Sequence, residues 1–275
     1  MAKFALLVGI NDYKKVNDLN GCINDVTNVR NILKTYFGFN NNDIRVLVDN
    51  RATKTSITHR LKWMVGKAKA GDFLVFHFSG HGSQILDRHN DELNDHKDEL
   101  ICPYDMDWDG TFIIDDDLNK IFKALKEGVH LEVLLDSCHS GTGTRDLIQP
   151  KNPGNCEFPT LYRYLPPPPD IICRSEGEDY NLKPTNKFKI IKNDKMNHIL
   201  WAGCKDIQTS ADAYIIGSYN GAFSYYFCKH VRDAGGNITR SELIKRINNS
   251  LSYNQYTQTP QLECENKLKS GKVFG

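Results

Sequence analysis

Two short stretches of this sequence decide its fold, FHFSGHG at residues 76–82 and LLDSCHSG at residues 134–141. Each continues an apolar run and then changes to small and polar residues, which is typical of a buried strand that ends at a sheet edge. In open parallel sheets, functional groups gather at the carboxyl ends of the strands. If these two strands are neighbours, His81 and Cys138 lie close together although they are distant in the sequence.

Around the two stretches, short apolar strands alternate with helical patterns. Strands that are apolar on both faces and separated by helices predict a parallel sheet covered on both sides. The predicted fold class is therefore α/β, with a mostly parallel central sheet flanked by helices on both faces. The predicted strands are Phe4–Ile10, Ile44–Val48, Phe73–Phe78, Leu131–Leu135 and 198–203, with a late extended segment near Gln261–Glu263. The predicted helices cover about Asn24–Tyr36, Thr55–Ala68, Asp117–Lys126, Ala222–Asp233 and Arg240–Leu251.

Residues from about 149 to 197 interrupt this alternation. The stretch contains the run Pro166–Pro169 and a polar, lysine-rich part. Consecutive prolines favour an extended polyproline conformation, so we expect a long excursion rather than a part of the core. The length of the chain by itself leaves one and two domains equally open.

Composition excludes several classes of function. The 275 residues carry 35 Lys and Arg against 34 Asp and Glu, so no excess of positive charge is available to neutralise nucleic-acid phosphates. No apolar run approaches the roughly 20 residues needed to cross a bilayer. The apolar start of the chain lacks a full signal-peptide core, and we interpret it as a buried first strand. We therefore expect neither a nucleic-acid partner nor a membrane partner.

The eight cysteines are expected to be free thiols. None lies in a C-x-x-C pair and no secretion signal accompanies them, which argues against a disulfide framework and against a zinc site built by paired cysteines. Free thiols predict a reducing compartment, and we expect the chain to be cytoplasmic. A monomer is expected as well.

The residue types at the two strand ends fit thiol hydrolysis. Small residues near Gly82 and Cys138 would let the sulfur reach a substrate and let backbone N–H groups hold an oxyanion. His81 would supply the proton of the leaving amine. On residue types alone, an inert buried cysteine is an equally good interpretation. His77 is expected to be a packed core residue, and His139 is adjacent to Cys138, a spacing that normally points two side chains apart.

Beyond these residues, the sequence resembles the metacaspases, which are caspase-fold, clan CD cysteine peptidases. The matching blocks are ALLVGIN at 5–11, LNGCIND at 19–25, SGHG at 79–82, DSCHSG at 136–141, GCKD at 203–206, QTSADA at 208–213 and QTPQL at 258–262. The resemblance implies one caspase-like peptidase domain over residues 1–275, of a type I-like form without a prodomain, in which His81 and Cys138 are the catalytic dyad. Metazoan caspases carry a different pentapeptide around the cysteine.

The resemblance also implies cleavage after arginine or lysine. It implies an acidic pocket built by Asp25 and Asp136 and lined by Cys22 and Ser79. The chemistry agrees, because two carboxylates at strand ends can pair with a substrate cation. Without the resemblance, Asp25 is interpreted as a helix N-terminal acid and Asp136 as a structural hydrogen-bond acceptor. The expected partners are peptide or protein substrates with a basic residue before the cleaved bond, the P1 residue.

Residues 87–117 concentrate acidic side chains. They contain ten Asp and two Glu against two basic residues, and a solvated acidic loop is the usual explanation of such a run. The stretch Asp105–Asp116 matches part of an EF-hand loop, but Pro103 and the apolar pair Ile113–Ile114 fit strand-like flanks better than paired helices. We therefore do not expect a true EF-hand.

The metacaspase resemblance implies a different calcium site in this region. It maps onto Asp98, Asp115, Asp116 and Asp146, and carboxylate oxygens are the ligands that calcium prefers. Calcium is therefore the expected cofactor, as an activator, and no organic cofactor is expected. As an alternative role, one carboxylate of Asp115–Asp117 is expected to cap the helix that begins there.

Self-processing of a zymogen is a further implication of the resemblance, since family members are often cut within or near the 149–197 segment. The candidate basic sites are Arg145, Arg163, Arg174, Lys183, Lys187, Lys189, Lys192 and Lys195. A basic linker or lid without any cleavage is the plain alternative.

Two other functions stay open from the sequence. A catalytically silent caspase-like module that responds to calcium and binds partners would share the fold. The joint presence of Cys138, His81, Asp25 and Asp136 favours the enzyme over this module. Another thiol hydrolase on the same fold would need a pocket without paired acids.

Overall fold

The computed structural model of the chain describes residues 1–86, 97–138, 158–175, 198–205 and 208–275. The strands are β1 (Lys3–Gly9), β2 (Ile44–Val48), β3 (Phe73–Ser79), β4 (Gly82–Leu86), β5 (Lys97–Ile101), β6 (Ile113–Ile114), β7 (His130–Asp136), β8 (Leu161–Tyr162), β9 (Ile199–Ala202), β10 (Ala211–Ile215), β11 (Ser218–Gly221) and β12 (Gln261–Glu263). The helices are α1 (Cys22–Phe37), α2 (Lys54–Lys67), α3 (Asp115–Phe122), α4 (Pro169–Ser175), α5 (Ala222–Asp233), α6 (Arg240–Tyr253) and α7 (Asn266–Lys269).

A six-stranded sheet in the order β12-β9-β7-β3-β1-β2 forms the centre of the molecule. Its strands are parallel except β12, which runs antiparallel to β9 at one edge. The strands β1, β3 and β7 are buried and mostly apolar over nearly their whole length, because both faces of the sheet are covered. The predicted mostly parallel sheet is therefore confirmed, and every predicted strand is present.

Helices cover both faces of this sheet. The neighbouring residues Leu6 and Leu7 of β1 belong to two different apolar clusters, because successive side chains of a strand point to opposite faces. Leu6 packs in the cluster that includes α2 and α3, and Leu7 packs in the cluster that includes α1, α5 and α6. This two-sided core confirms the predicted arrangement of helices.

Two helices begin at threonine N-caps, whereas α3 begins without a side-chain cap. Thr53 and Thr239 cap α2 and α6 by accepting backbone N–H bonds from Ser56 and Glu242. The N-cap of α3 is Ile114, with no side-chain cap hydrogen bond. The prediction that one of Asp115–Asp117 caps this helix is therefore wrong. These carboxylates lie in the first turn instead, where the helix dipole favours negative charge.

Two small antiparallel sheets lie beside the central one. The first has the order β4-β5-β6, and the second has the order β11-β10-β8. Tyr164, two residues after β8, forms a parallel bridge with Gly82 at the start of β4. The chain near residue 163 therefore runs between the two small sheets.

The described part of the 149–197 stretch contributes to the core. Arg163 is fully buried, and the last of the four consecutive prolines, Pro169, begins α4, where a missing N–H leaves no hydrogen bond unmade. The prediction of an excursion outside the core is wrong for Arg163. Its charge is buried because three carboxylates surround it, as described below.

The described cysteines agree with the expectation of free thiols. Those at positions 22, 102, 138, 204, 228 and 264 are all unbridged. Within the described ranges, no helix is both long enough and apolar enough to cross a membrane.

Candidate active site

The site is built where β3 and β7 end. The two strands pair with Ser79 opposite Asp136, so His81 and Cys138 each follow a strand end by two residues. The amide of Gly80 donates to the carbonyl oxygen of Asp136 at 3.3 Å, which ties the turn after β3 to the end of β7. The structure thus brings the two sequence motifs together at one edge of the sheet.

Two backbone N–H groups of these turns converge on one oxygen atom. The amides of Gly82 and Cys138 donate to the carbonyl oxygen of Arg163, at 2.9 Å and 3.3 Å. A Cβ atom on Gly82 would lie 2.3 Å from the carbonyl oxygen of Cys138, so the close approach of the two turns requires glycine at this position. Two N–H donors aimed at one carbonyl oxygen are the arrangement that stabilises an oxyanion.

His81 is held by contacts to a neighbouring loop. Its Nε2 lies 2.8 Å from the carbonyl oxygen of Asn17, and its backbone N–H donates to the hydroxyl of Tyr13 at 2.8 Å. Because a carbonyl oxygen only accepts, Nε2 carries the proton and Nδ1 is the nitrogen left to exchange one. Among the described residues, Nδ1 has no hydrogen-bond partner. Burial lowers the pKa of His81 to about 4, so the ring is neutral at pH 7.

Cys138 lies against the backbone of Arg163, whose carbonyl oxygen accepts a hydrogen bond from the Cys138 amide. Its side chain is fully buried, its sulfur accepts a hydrogen bond from the backbone N–H of Ser210, and it lies 3.6 Å from the carbonyl oxygen of Ser210. Both polar groups of the Ser210 backbone therefore contact the sulfur of the nucleophile candidate.

The predicted acidic residues surround the guanidinium group of Arg163. Its Nη2 lies 2.8 Å from Asp25 Oδ2 and 3.2 Å from Asp212 Oδ1. Its Nη1 lies 2.8 Å from Ser79 Oγ. The same Nη1 lies 3.1 Å from the carbonyl oxygen and 3.2 Å from Oδ1 of Asp136. We call Asp25, Ser79, Asp136 and Asp212 the acidic pocket, and all of its side chains are buried.

In this pocket, burial and the opposite charges nearby shift the pKa values of Asp25 and Arg163 in opposite directions. Burial raises the pKa of Asp25 to about 8, Arg163 opposes that rise, and Asp136 adds to it. For Arg163, burial acts to lower the pKa, but the surrounding acidic groups, led by Asp136, raise it above its usual range. The guanidinium group therefore stays charged. Burial also raises the pKa of the Cys22 thiol, which touches Ser79 and lies in the field of Arg163, so Cys22 is a neutral wall of the pocket.

The alternative roles of the two predicted acids are also visible. Asp25 lies in the first turn of α1, and Asp136 accepts hydrogen bonds from Ser210 Oγ at 2.6 Å and from the Ser224 amide at 2.9 Å. The structural roles and the pocket role coexist, because each carboxylate has two oxygen atoms.

The backbone on the N-terminal side of Arg163 is bound as an extra strand. Leu161 and Tyr162 form β8 and pair antiparallel with Asp212 and Ala211 of β10. The amide of Arg163 continues the ladder by donating to the carbonyl oxygen of Ser210 at 3.1 Å. Recognition of an extended peptide through its main chain is what strand addition to a sheet edge provides.

Asp212 is a pocket residue that the sequence did not single out. Its Oδ2 accepts hydrogen bonds from the amides of Asn20 and Gly21, at 2.6 Å and 3.2 Å, while its Oδ1 faces Arg163. It lies within the QTSADA block at 208–213. The resemblance located this block but implied no role for the carboxylate.

Gln258 and Ser210 form a second group that the sequence left without a role. Gln258 Nε2 donates to the carbonyl oxygen of Gly203 at 2.8 Å and to Ser210 Oγ at 3.1 Å, and its Oε1 accepts from the Ala211 amide at 2.8 Å. Ser210 Oγ in turn donates a hydrogen bond to Asp136 Oδ1. Gln258 thus fixes β10 and, through Ser210, one carboxylate of the acidic pocket.

The predicted calcium ligands lie together only in part. Asp98 and Asp115 are 3% and 7% exposed, and the pairing of Leu100 with Ile114 in β5 and β6 brings their chain segments to the same end of that sheet. Asp116 is more exposed and lies 3.7 Å from Lys120. The remaining predicted ligand, Asp146, is outside the described residues. Within those residues, no group of three or more His, Cys, Asp or Glu side chains is arranged to hold a metal ion.

The loop that resembles an EF-hand has strands at its ends. β5 precedes it and β6 lies within its last part, which confirms the strand-like flanks. Asp107 Oδ1 accepts hydrogen bonds from the amides of Asp109 and Thr111, at 3.2 Å and 3.1 Å. This carboxylate therefore closes a turn of its own loop.

Two other histidines, His77 and His139, lie near the dyad motifs in the sequence. His77 is fully buried, and its Nε2 lies 3.3 Å from Ser224 Oγ. Its predicted place in the core is confirmed. His139 lies outside the described residues.

Comparisons with known proteins agree with this geometry. A family model described as "Metacaspase, peptidase C14 domain" matches residues 3–147. Metacaspase-1 of Pyricularia oryzae is 34% identical over 294 residues, which covers 98% of this chain and 73% of that protein. Metacaspase-1 of Ajellomyces capsulatus is 32% identical over 299 residues, which covers 98% of this chain and 82% of that protein.

Two solved structures are similar at the level of the fold. A crystal structure of a protein from Geobacter sulfurreducens has a TM-score of 0.69 and 21% identity, and the match covers 100% of this chain and 98% of that one. Caspase-1 from Spodoptera frugiperda has a TM-score of 0.56 and 12% identity, with 99% and 89% covered. The predicted caspase-like fold is thereby confirmed. Since the family model and the curated relatives agree over most of its length, this chain belongs to the metacaspase family of cysteine peptidases.

Proposed function

We propose that this metacaspase is an endopeptidase that cleaves after arginine or lysine through Cys138 and His81. One observation carries the proposal. The side chain of Arg163 fills the acidic pocket while its carbonyl oxygen accepts hydrogen bonds from Gly82 and Cys138. A P1 residue of a substrate has to satisfy both conditions at once, since its side chain gives specificity and its carbonyl group reacts.

The catalytic steps follow from the groups around that carbonyl. The sulfur of Cys138 attacks the carbonyl carbon of the P1 residue and gives its proton to Nδ1 of His81. The negative oxygen that forms is stabilised by the amides of Gly82 and Cys138. Nδ1 then protonates the leaving amine, the C–N bond breaks, and a thioester remains. Water hydrolyses the thioester and restores the thiol.

Asn17 supports the proton transfer without reacting. Its carbonyl oxygen accepts a hydrogen bond from the Nε2–H group of His81. This bond holds the ring in one tautomer and stabilises the positively charged ring that forms during the reaction. Burial lowers the pKa of His81 to about 4, and the hydrogen bond to Asn17 opposes this fall. The buried ring is therefore neutral, and Asn17 offsets part of the cost of protonating it.

The same contacts support a latent zymogen. Residues 161–165 occupy the space that a substrate needs, with Leu165 also donating to the carbonyl oxygen of Gly82 at 2.9 Å. Cys138 and His81 are 0% and 3% exposed in this arrangement, so a second peptide cannot reach the sulfur. We call residues 161–165 the docked segment, and its displacement or cleavage would open the site.

Self-processing follows from the orientation of the docked segment. The carbonyl group of Arg163 is bound as the reacting carbonyl of a substrate would be, which makes Arg163–Tyr164 the bond presented for cleavage. Among the candidate basic sites whose side chains the structure describes, Arg163 is thus supported by its contacts.

Calcium is proposed as the activator of this latent form. The support is the pair of buried carboxylates at Asp98 and Asp115, since hard oxygen ligands fit calcium. Asp98 lies in β5, and Asp115 follows β6 directly as the first residue of α3. Both therefore adjoin the small sheet that contains Gly82, which pairs with Ile101 of β5. A cation bound there, with Asp116 and Asp146 as further ligands, would act on the strand that touches the docked segment. We also propose that the protein is monomeric and cytoplasmic.

Intact-mass analysis with a peptide panel tests the proposed function. Full-length wild-type protein and Cys138→Ala are incubated with calcium and then assayed on reporter peptides that differ only in the P1 residue. We expect wild-type protein to be cut after Arg163 and to release the reporter after Arg or Lys, and Cys138→Ala to do neither. Absence of release and of cutting in both proteins would favour the catalytically silent module, and equal release by the two proteins would overturn the role of Cys138.

A further inference from the structure

The acidic pocket binds the two terminal nitrogen atoms of a guanidinium group through different acceptors. Nη2 of Arg163 is held by Asp25 and Asp212, and Nη1 is held by Ser79 and Asp136. Among the described residues, the third nitrogen of the group, Nε, has no hydrogen-bond partner. Recognition therefore depends on the two terminal nitrogens and on acceptors placed on both sides of them.

A lysine side chain cannot satisfy both sets of acceptors. Its single ammonium nitrogen stands as far along the side chain as the central carbon of the guanidinium group, one bond short of Nη1 and Nη2. An ammonium group is also a compact charge, whereas guanidinium is a planar fork with fixed donor directions. In this pocket, a lysine would leave at least one buried acceptor without its direct partner, which is costly in a site closed to water.

Asp212 is fixed for this purpose by its second oxygen. Oδ2 is held by the amides of Asn20 and Gly21, and the side chain is fully buried. A Cβ atom on Gly21 would lie 2.3 Å from Asp212 Oδ1, so the chain packs tightly against the carboxylate. The oxygen that faces Arg163 therefore has a defined position, 3.2 Å from Nη2.

Gly221 shapes the pocket as a slot for a flat group. A Cβ atom at this position would lie 2.2 Å from Asp136 Oδ2, 2.5 Å from Arg163 Nη1 and 2.7 Å from Arg163 Cζ. The bare backbone of residue 221 thus lies directly against the guanidinium group. Its amide donates to both oxygens of Asp25, at 3.0 Å and 3.1 Å, which orients the carboxylate that shares Nη2 with Asp212.

We propose that Asp212 is a specificity-determining residue that makes the pocket select arginine over lysine at P1. The inference rests on the proposed cleavage after basic residues and goes beyond it by ranking the two residues and assigning the ranking to one carboxylate. Asp25 and Asp136 supply oxygen acceptors that any basic side chain can use. Asp212 supplies a second acceptor for Nη2, beside Asp25. A guanidinium group uses this acceptor because each of its terminal nitrogens has two N–H donors in fixed directions.

Steady-state kinetics on matched peptides test the proposal. Calcium-treated full-length enzyme is assayed on two reporters that are identical except for Arg or Lys at P1. We expect kcat/KM to be at least about 10-fold higher for Arg in the wild-type enzyme, as the loss of a charge-assisted hydrogen bond predicts. In Asp212→Asn we expect kcat/KM to fall roughly 10- to 100-fold for Arg and much less for Lys, so that the ratio approaches one.

The Asp212→Asn variant keeps an amide oxygen for the Asn20 and Gly21 amides, which limits structural damage. Glu242→Gln, on the exposed side of α6, is the matched control and should leave both constants unchanged. An equal loss for the two substrates in Asp212→Asn would overturn the role of Asp212. Wild-type enzyme that cleaves Lys as fast as Arg would overturn the selectivity, whereas cleavage of neither would contradict the proposed function instead.

Self-cleavage gives a second readout that does not need the Asp212 variant to fold. In Arg163→Lys, the docked segment presents lysine in place of arginine to an otherwise unchanged pocket. We expect the rate of cleavage after residue 163, followed by intact mass, to fall about 10-fold relative to the wild-type chain. An unchanged or faster rate would overturn the selectivity.

Discussion

The carbonyl oxygen of Arg163 lies 2.9 Å from the amide nitrogen of Gly82. This contact joins the stretch that was expected to be an excursion to the turn that carries His81. It also explains the burial of the proposed dyad, since a chain that places its own carbonyl group on these amides covers the sulfur of Cys138. Under the proposed function, the molecule is therefore a peptidase that holds a piece of itself in its site.

Replacing Arg163 is predicted to open the site. In Arg163→Gln, three buried carboxylates lose their cation, and removal of one partner of a buried ion pair costs about 3–5 kcal/mol. Departure of the docked segment lets water reach the carboxylates, so we expect the free energy of unfolding to fall by less than this. The initial rate on a short arginine reporter, before any self-cleavage, should rise about 10-fold because the open state is populated.

Arg246→Gln is the control for this prediction, because Arg246 is exposed on α6 and forms an ion pair with Glu242 in the next helical turn. Thermal melts and initial rates are measured for both variants and for the wild-type protein. An initial rate of Arg163→Gln equal to that of the uncut wild-type protein would show that the docked segment does not restrain activity.

Tyr13 is predicted to position the backbone of His81. Its hydroxyl accepts the His81 N–H at 2.8 Å and lies 3.4 Å from the carbonyl oxygen of Cys102. In Tyr13→Phe, the turn that carries His81 loses this anchor, and displacement by about 1 Å can cost as much as 100-fold in rate. We expect kcat on an arginine reporter to fall roughly 10- to 100-fold with little change in KM. Tyr253→Phe, at an exposed tyrosine, is the control, and a fall in both variants would contradict the assignment.

Gly221 is predicted to tolerate no side chain. A methyl group in Gly221→Ala would take the space of the guanidinium group, so we expect kcat/KM for arginine reporters to fall more than about 100-fold. Gly66→Ala is a matched control, because a Cβ atom at Gly66 meets nothing within 4 Å and alanine favours helix over glycine. Full activity of Gly221→Ala would mean that P1 side chains bind elsewhere.

Acid is predicted to destabilise the protein between pH 6.5 and pH 4. Burial lowers the pKa values of His77, His81 and His198 from 6.5 to about 4, so the unfolded chain binds more protons than the folded one in this range. Asp25, raised to about 8, acts in the opposite direction with one proton. The net difference among these four groups is about two protons, and each is worth roughly 1.4 kcal/mol per pH unit.

Urea unfolding at several pH values measures this slope. The free energy of unfolding should fall as the pH is lowered through the range, and His198→Phe, which removes one buried histidine far from the acidic pocket, should reduce the slope to about one proton. A slope of the opposite sign, or no change in the variant, would contradict the buried neutral state of these rings.

Calcium binding is predicted to involve Asp98. Titration calorimetry of Cys138→Ala, which cannot cut itself, should show binding of calcium, and adding Asp98→Asn should weaken it at least about 10-fold by removing a charged oxygen ligand. The control is Asp43→Asn, in a surface turn outside the acidic stretch. Identical isotherms for the Asp98 and Asp43 variants would exclude Asp98 from the site.

The strands and the dyad motifs could be predicted from the sequence because the responsible signals are local. An apolar run such as Phe73–Phe78 forms a buried strand wherever it pairs, and the small residues after it mark the edge of the sheet. The family resemblance added Asp25, Asp136, Ser79 and Cys22. The structure brings all four of them to one pocket.

The docked segment could not be predicted in this way. Arg163 lies among prolines and polar residues, and nothing near it in the sequence indicates that its charge is buried. Its partners come from α1, β3, β7 and β10, which meet only after the sheet has formed. Asp212 was missed for the same reason, since its neighbours in sequence say nothing about the cation that it faces.

The sequence by itself therefore determined the order of the strands along the chain, the family, and the residues that end β3 and β7. Only the tertiary structure decided which basic residue lies in the acidic pocket and which third carboxylate holds it. Hydrophobic periodicity is written in short stretches of sequence. By contrast, the burial of a charge is stable only when ionised partners from distant segments converge on it.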